Sequence, residues 1–299
     1  MTGLICLNKP AGISSFGAVA KVRGITREKK CGHTGTLDPM ASGVLPVLLG
    51  GATRFLDYLP DSDKAYRAGF QLGTVTDTLD STGRVLQTRP FSDVSFQALQ
   101  QAVHAFQGEI EQVPPMYSAC HVDGRRLYEL ARAGKEVERP PRRVVIHKIE
   151  LLSYDAQNGT GALDVLCSKG TYVRTLIDDI GRRLGCGAMM TALTRTAAMG
   201  FSLENCVSLE SLQQLRDTGQ GFAQVLIPVD RALSAYPAVQ VSAAQSRRFS
   251  NGGALDRTRV RADRTDGLCR VYSDSGDFLG LGQWTQEALA VKRILVKRD

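Results

Sequence analysis

Apolar and polar positions along the chain follow two rhythms, one of period two and one of helical period. Residues 4–7 are an apolar run ending at Asn8-Lys9-Pro10, which predicts a strand breaking into a loop, and Ser14 or Ser15 is placed to cap a helix through Val19 and Val22. Residues 44–49 are apolar without interruption, as in a buried strand. Residues 52–59 predict a short helix with Phe55, Leu56 and Leu59 on one face. Residues 64–72 alternate, placing Tyr66, Ala68, Phe70 and Leu72 on one side of a strand. The TVTDTLDSTG stretch that follows is turn-rich and reads as a loop.

Further on, Ser92 or Ser95 opens a helix through Phe96, Leu99, Val103 and Phe106, ending at Gly108. A short helix is expected at 126–133, then strands at 144–152 and 162–167. Val173, Leu176, Ile177, Ile180 and Leu184 fall at helical spacing, so the helix leaving SKGTYV is strongly patterned. Another short helix is expected at 208–215. A connector containing proline and alanine ends near Pro237, and a second unit begins there. Residues 238–299 alternate short apolar runs (239–241, 268–272, 278–281, 294–296) with glycine-containing turns, the pattern of a small β-barrel or sandwich.

Composition adds a bias toward an anionic partner. The 299 residues are 43% hydrophobic, enough for one large domain plus a small one, and Lys and Arg outnumber Asp and Glu by 37 to 30 for a net charge of +7. Nucleic acid is the first candidate. Between His121 and Lys148 there are eight Lys or Arg against four acids, and the segment from Val113 to Lys148 that holds them also carries Tyr117 and Tyr128, which suits contacts to RNA backbone and bases as well as it suits a soluble surface loop. Residues 238–299 are basic too, with eleven against seven. No run of 18 apolar residues is present and MTGLICLNKP has no signal-peptide pattern, so no membrane partner and a cytoplasmic location are expected. The seven cysteines are scattered without a CxxC pair, which suits reduced, buried thiols, and neither they nor the four histidines have the paired spacing of a metal site.

Candidate chemistry centres on residues 30–50, KCGHTGTLDPMASGVLPVLLG. Asp38 follows Gly32 and Gly35 and precedes Pro39 and a core strand, so an acid is held on a stiff loop. Alone, it reads equally as a turn residue capping nearby amides or as a catalytic acid. The Gly32–Gly35 GxxG lacks the long amphipathic helix of a KH domain before it, and no phosphate-loop Gly-Lys-Ser/Thr follows. By local pattern Lys9 reads as a solvated surface lysine and Tyr66 as a packed strand aromatic. Asp77 and Asp80 read as ordinary loop chemistry rather than a metal or glycosidase pair. Arg174 lies in a helix first turn, where the dipole disfavours a cation by about 0.3–1 kcal/mol, so an anion is expected nearby. That anion is either Asp178, one turn on, or a carboxylate from another loop.

Four segments, GHTGTLDPMASGVLPVLLG, KAYRAGFQLGTVTDTLDSTG, PPMYSACHVDGRRLYELARAGKEVER and SKGTYVRTLIDDIGRRLG, occur in an order and spacing that closely resemble the TruB family, the bacterial tRNA pseudouridine-55 synthases. The resemblance runs from Leu4 to about Pro237, and the tail looks like the PUA domain many members carry. It implies an α+β catalytic domain at 1–237 on a mixed, largely antiparallel sheet, with an RNA-binding insertion at about 114–143 and a PUA-like β-barrel at 238–299. The implied activity is isomerisation of uridine 55 in the T-loop of tRNA to pseudouridine, by a monomer that binds the T-arm and needs neither cofactor nor metal. Asp38 falls on the family's catalytic aspartate and Arg174 on the arginine that pairs with it. His33 falls on the histidine that helps displace the base, and Tyr172 and Leu193 on positions lining the uridine pocket. Tyr66 falls on the tyrosine that stacks against the base, and it is a catalytic candidate too, for the final loss of the proton from C5, although a phenol of ordinary pKa is a poor base at neutral pH. Lys9-Pro10 matches a motif bordering the same cleft. Two departures are Thr194, where the family usually has arginine, and His121, where it has lysine; each loses or weakens a cation suited to phosphate.

The reaction breaks the bond from uracil N1 to C1′ and rejoins the base through C5 with no net redox change. One carboxylate beside the sugar can stabilise charge at C1′, add covalently, or take a proton from C2′. The chief alternative to an enzyme is a tRNA-binding or folding factor whose catalysis is dispensable, which the basic insertion and tail would serve equally well.

Overall fold

Nine strands of the computed structural model, which describes residues 1–60, 63–118, 120–122, 125–132, 134–135, 137–263 and 266–295, form one mixed sheet. Eight carry the argument: β1 (Gly3–Lys9), β2 (Cys31–His33), β3 (Ser42–Leu49), β4 (Lys64–Leu72), β5 (Gly108–Gln112), β6 (Arg142–Asp155), β7 (Thr160–Cys167) and β8 (Ala188–Ala198). Their order is β1-β3-β8-β4-β7-β6-β5, with β2 paired to β3 and the short strand Phe201–Ser202 to β8. Neighbours run antiparallel except β3 and β8, which are parallel. The expected α+β class with a largely antiparallel sheet is thus the fold observed.

Alternation along the strands decides which side chains meet the helices. Ile5 and Leu7, Leu45 and Val47, and Tyr66, Ala68, Phe70 and Leu72 join one core with helices Ser15–Thr26, Phe96–His104, Val173–Arg183 and Leu209–Asp217. Ser14, Ser95 and Ser208 cap three of these helices, each hydroxyl accepting from a backbone N–H three residues on. The opposite face of β1 and β3 carries Leu4, Cys6, Val44 and Leu48, and Leu4 and Leu48 pack there against Phe55, Val229, Leu233, Phe278 and Leu281. The last two belong to a five-stranded sheet formed by Ala238–Gln240, Leu268–Tyr272, Phe278–Trp284, Ala288–Ile294 and Leu255–Asp256, in that order, around a core of Val239, Phe249, Val271, Trp284 and Leu289. A small curled sheet of this kind is consistent with the barrel expected for the tail.

Several expectations are corrected. The central strand β8 was not anticipated, because AMMTALTRTAA mixes small, hydroxyl and apolar residues without a clean period. The helix after Ser95 ends at His104, and Gly108, with φ 106°, opens β5 rather than merely closing the helix. Residues 50–58 form a 3₁₀ helix, whose three-residue turn leaves Leu56 41% exposed while Phe55 is fully buried. The TVTDTLDSTG stretch is not simply loop, since Thr74–Thr76 pairs with Val85–Thr88. Helix Ala243–Ser250 precedes most of the second sheet. The short helix is present at Leu127–Arg132. Asp123, Ala133, Glu136 and Val296 lie outside the described residues, as do the side chains of His121, Arg125, Arg126 and Arg132.

Candidate active site

A cleft of about 340 Å³ opens beside the β3–β8–β4 centre of the sheet, lined by the loop 35–38, by Tyr66 on β4, Leu193 and Arg195 on β8, Ser118 and Cys120 from the 114–143 segment, and 170–174 at the start of helix Val173–Arg183. Its volume suits a small ligand or a single flipped nucleotide. Asp38 is the carboxylate at this wall. Arg174 grips it with two nitrogens, Nε to Oδ2 at 3.0 Å and Nη2 to Oδ1 at 3.2 Å. A guanidinium matches a carboxylate in this two-point geometry, which aims the acid as well as attracting it.

The pair is asymmetrically buried: the Arg174 side chain is 5% exposed and that of Asp38 is 32% exposed, so the acid is the more accessible partner at the cleft wall. Such an arginine needs its remaining donors satisfied. Nη1 donates to the Thr78 carbonyl at 3.0 Å and Nη2 to the Tyr117 carbonyl at 3.0 Å, while Asp80 Oδ2 lies 3.5 Å from Nη1. Asp80 is 4% exposed, and its Oδ1 accepts from the Thr78 hydroxyl and from the Thr82 amide and hydroxyl. Two carboxylates therefore share one arginine. The local alternative fails, because Asp178 pairs with Arg182 at 2.7 Å. Burial raises the Asp38 pKa above its ordinary value; Arg174 and Lys9 oppose that rise and the Asp80 charge adds to it.

The loop bearing Asp38 is stapled from three sides. The Ser15 hydroxyl both donates to the Leu37 carbonyl and accepts from its amide. Lys9 donates to the carbonyls of Pro10 (2.8 Å), Ile13 (2.7 Å) and Pro39 (3.4 Å). Arg195 donates to the carbonyls of Gly35, Thr36 and Val44, the last at 2.7 Å. Lys9 is 0% exposed, so its reading as a solvated surface lysine is wrong: burial pulls its pKa down to about 8, against the Asp38 charge. It sits behind the loop and does not line the cleft.

Of the seven residues singled out in the sequence, the fold brings Asp38, Tyr66, Tyr172, Arg174 and Leu193 to the cleft wall. His33 lies at the end of β2, half-buried opposite Val47, and is not in that lining. Burial, with Arg195 nearby, lowers its pKa and favours the neutral imidazole. Tyr66 is 8% exposed and its phenol pKa is raised by burial despite the Arg195 charge beside it. The Tyr172 hydroxyl lies 2.9 Å from Cys120 Sγ, its backbone is held by the Gln112 amide group, and burial pushes its pKa up to about 12. Asp80 and Arg195 were not recognised as site residues from sequence. Nothing in TVTDTLDSTG separates Asp80 from Asp77, which merely accepts from the Arg84 amide. Arg195 lies on a strand with no clear period. The neighbouring departure, Thr194, shares a hydroxyl contact of 3.0 Å with Ser42 across the parallel pair.

Among the described residues no group of His, Cys, Asp and Glu is arranged to hold a metal ion, and no helix is long and apolar enough to cross a membrane.

Comparison with known proteins finds three family models along the chain. "TruB family pseudouridylate synthase (N terminal domain)" matches residues 23–173, "tRNA pseudouridylate synthase B C-terminal domain" residues 174–234, and "Pseudouridine synthase II TruB, C-terminal" residues 237–295. The tRNA pseudouridine synthase B of Pseudomonas fluorescens strain Pf0-1 is 43% identical over 301 residues, covering 100% of this chain and 97% of its own. The protein of that name from Clostridium tetani is 41% identical over 297 residues, covering 99% and 100%. A chain in the crystal structure of a Cbf5-Nop10-Gar1 complex superposes with a TM-score of 0.73 at 26% identity, covering 98% of this chain and 85% of that one.

Proposed function

Since the chain belongs to the TruB family of pseudouridylate synthases, we propose that it isomerises uridine 55 in the T-loop of tRNA to pseudouridine, binding the T-arm as a monomer in the cytoplasm. It is an isomerase of tRNA uridine, as its relatives at about 43% identity are named. Residues 1–237 form the catalytic domain in this reading, with 114–143 closing over the RNA and 238–299 as an RNA-binding unit.

The observation that carries the reading is Asp38 gripped at two points by Arg174 on the wall of a nucleotide-sized cleft. Arg174 aims the carboxylate at the sugar of the flipped uridine, where one acid acts on C1′ or C2′. Tyr66 stacks against the base. Burial raises its phenol pKa and keeps it protonated at neutral pH, so help in removing the C5 proton, its second role in this reading, requires a partner that accepts the phenol proton. Tyr172 and Leu193 complete the walls and help keep water from the exposed C1′ while the base turns. His33, held neutral by burial, fills the gap the uridine leaves without adding a charge to the stacked loop. Lys9 acts from behind, holding the Pro39 carbonyl and hence the Asp38 loop.

The deciding experiment is incubation with unmodified tRNA followed by mapping of pseudouridine at nucleotide resolution. Product at position 55 alone is expected, and Asp38→Asn should abolish it while tRNA binding persists. Absence of product with folded tRNA would leave only the binding-factor reading, and modification of RNAs lacking a T-loop would refute the assigned site.

A further inference from the structure

Cys6 sits in the middle of β1 and Cys206 lies 200 residues later, yet their sulfurs are 3.1 Å apart. The approach is set by backbone. The Val207 amide donates to the Cys6 carbonyl at 2.9 Å and the Asn8 amide to the Val207 carbonyl at 2.9 Å, so Val207 runs beside β1 as a parallel bridge to Leu7. Cys6 is 1% exposed, with Val44 and Ala198 in the same small cluster. Cys206 is partly exposed and borders a surface cleft of about 540 Å³ with Asn8, Asn205 and Ser208. One thiol is therefore reachable from solvent and the other is stored directly behind it.

We propose that Cys6 and Cys206 are a modification site, closing reversibly to an intramolecular disulfide with a low-molecular-weight disulfide as the oxidant. The Cys206 thiolate attacks one sulfur of the small disulfide, whose S–S bond breaks and releases one small thiolate. The Cys6 sulfur, giving its proton to that released thiolate or to solvent, then attacks Cys206 Sγ and expels the second small thiolate. The protein loses two electrons and two protons, and two small thiols carry them away. Closure shortens the sulfur separation to about 2.05 Å, a movement of roughly 1 Å. The hydrogen bond with Cys6 lowers the Cys206 pKa against the opposing effect of burial while that of Cys6 is raised, and the nearby Arg195 charge also favours the Cys206 thiolate, so Cys206, the partly exposed residue of the pair, is the better nucleophile. The bridge would tie β1, whose Lys9 steadies the Asp38 loop, to the segment that follows β8. Because the sulfurs already touch, the site geometry is kept.

The test is equilibration of the native full-length chain with oxidised glutathione, followed by thiol titration, peptide mapping without reduction, and thermal unfolding. Expected are loss of two of the seven thiols, a single cross-link joining the peptides of Cys6 and Cys206, and a melting temperature higher by about 5 °C or more that dithiothreitol reverses. Cys206→Ser should take up no glutathione at this site, and Cys6→Ser should stop at the mixed disulfide on Cys206. A glutathione adduct on wild-type Cys206 without closure, a cross-link between other cysteines, a link that forms only in denaturant, or a lowered melting temperature would each overturn the proposal.

Discussion

At the scale of residues, the site is a problem of charge kept out of water. Arg174 is buried and answers to two acids, and removing it leaves both without their cation. Breaking a buried pair costs about 3–5 kcal/mol of stability, and because Arg174 also aims Asp38, Arg174→Ala should in addition lower the single-turnover rate of the protein that remains folded by roughly 10²-fold or more. Asp178→Ala, whose partner is Arg182, should keep the rate within about tenfold. Equal losses in the two variants would contradict the observed pairing. The sign of the pH dependence follows from the raised Asp38 pKa: in the proposed role of Asp38 the chemistry needs the carboxylate, so activity should fall as pH drops through a pKa higher than that of an ordinary aspartate. Asp80→Asn removes a like charge, and the acid limb of the pH–rate profile should move to lower pH. A limb that stays put or moves up would show that Asp80 does not act on Asp38. Asp38 and Arg174 were legible because each violated a local expectation, an acid among glycines and apolar residues and a cation at a helix start. Asp80 violated none, since its burial arises only when the hairpin folds against Met190.

At the scale of elements, the site depends on one parallel contact. β3 and β8 approach closely at Gly43, which has φ 107° and faces the Arg195 backbone so closely that a Cβ would collide with its carbonyl. Gly43→Ala should therefore destabilise the fold by more than an ordinary surface change, about 2 kcal/mol or more in denaturant unfolding, and should depress activity by shifting Arg195 off the loop carbonyls. Unchanged stability would mean the two strands have room to separate. Caps and periodicity made the helices readable, because Ser14, Ser95 and Ser208 signal locally. β8 was unreadable for the opposite reason: its residues are chosen by neighbours on both sides, β3 and β4, and not by an exposed and a buried face.

At the scale of the molecule, the second sheet is fastened to the first. Phe55 and Phe278 meet with ring centroids 5.7 Å apart, the Tyr236 hydroxyl donates to the Tyr58 carbonyl, and the Tyr272 hydroxyl donates to Asp230. Phe278→Ala should cost about 3–5 kcal/mol and release the tail from the sheet, seen as a lower melting temperature and faster proteolysis near residue 237. With a net charge of +7, tRNA affinity should fall steeply with salt, log K declining roughly linearly with log salt concentration. A flat salt response would refute an electrostatic hold on the RNA.

The sequence by itself determined the class of the fold, the helix Val173–Arg183, the alternating strand that presents Tyr66 and the family, because those signals are local or lie in contiguous motifs. Only the tertiary structure decided which carboxylates Arg174 holds, that Lys9 and Arg195 are buried staples of the Asp38 loop, and that Cys6 meets Cys206. The reason is physical. A side chain's partners across the sheet are set by strand order and register, and the energy of a buried charge depends on those partners rather than on its neighbours in the chain.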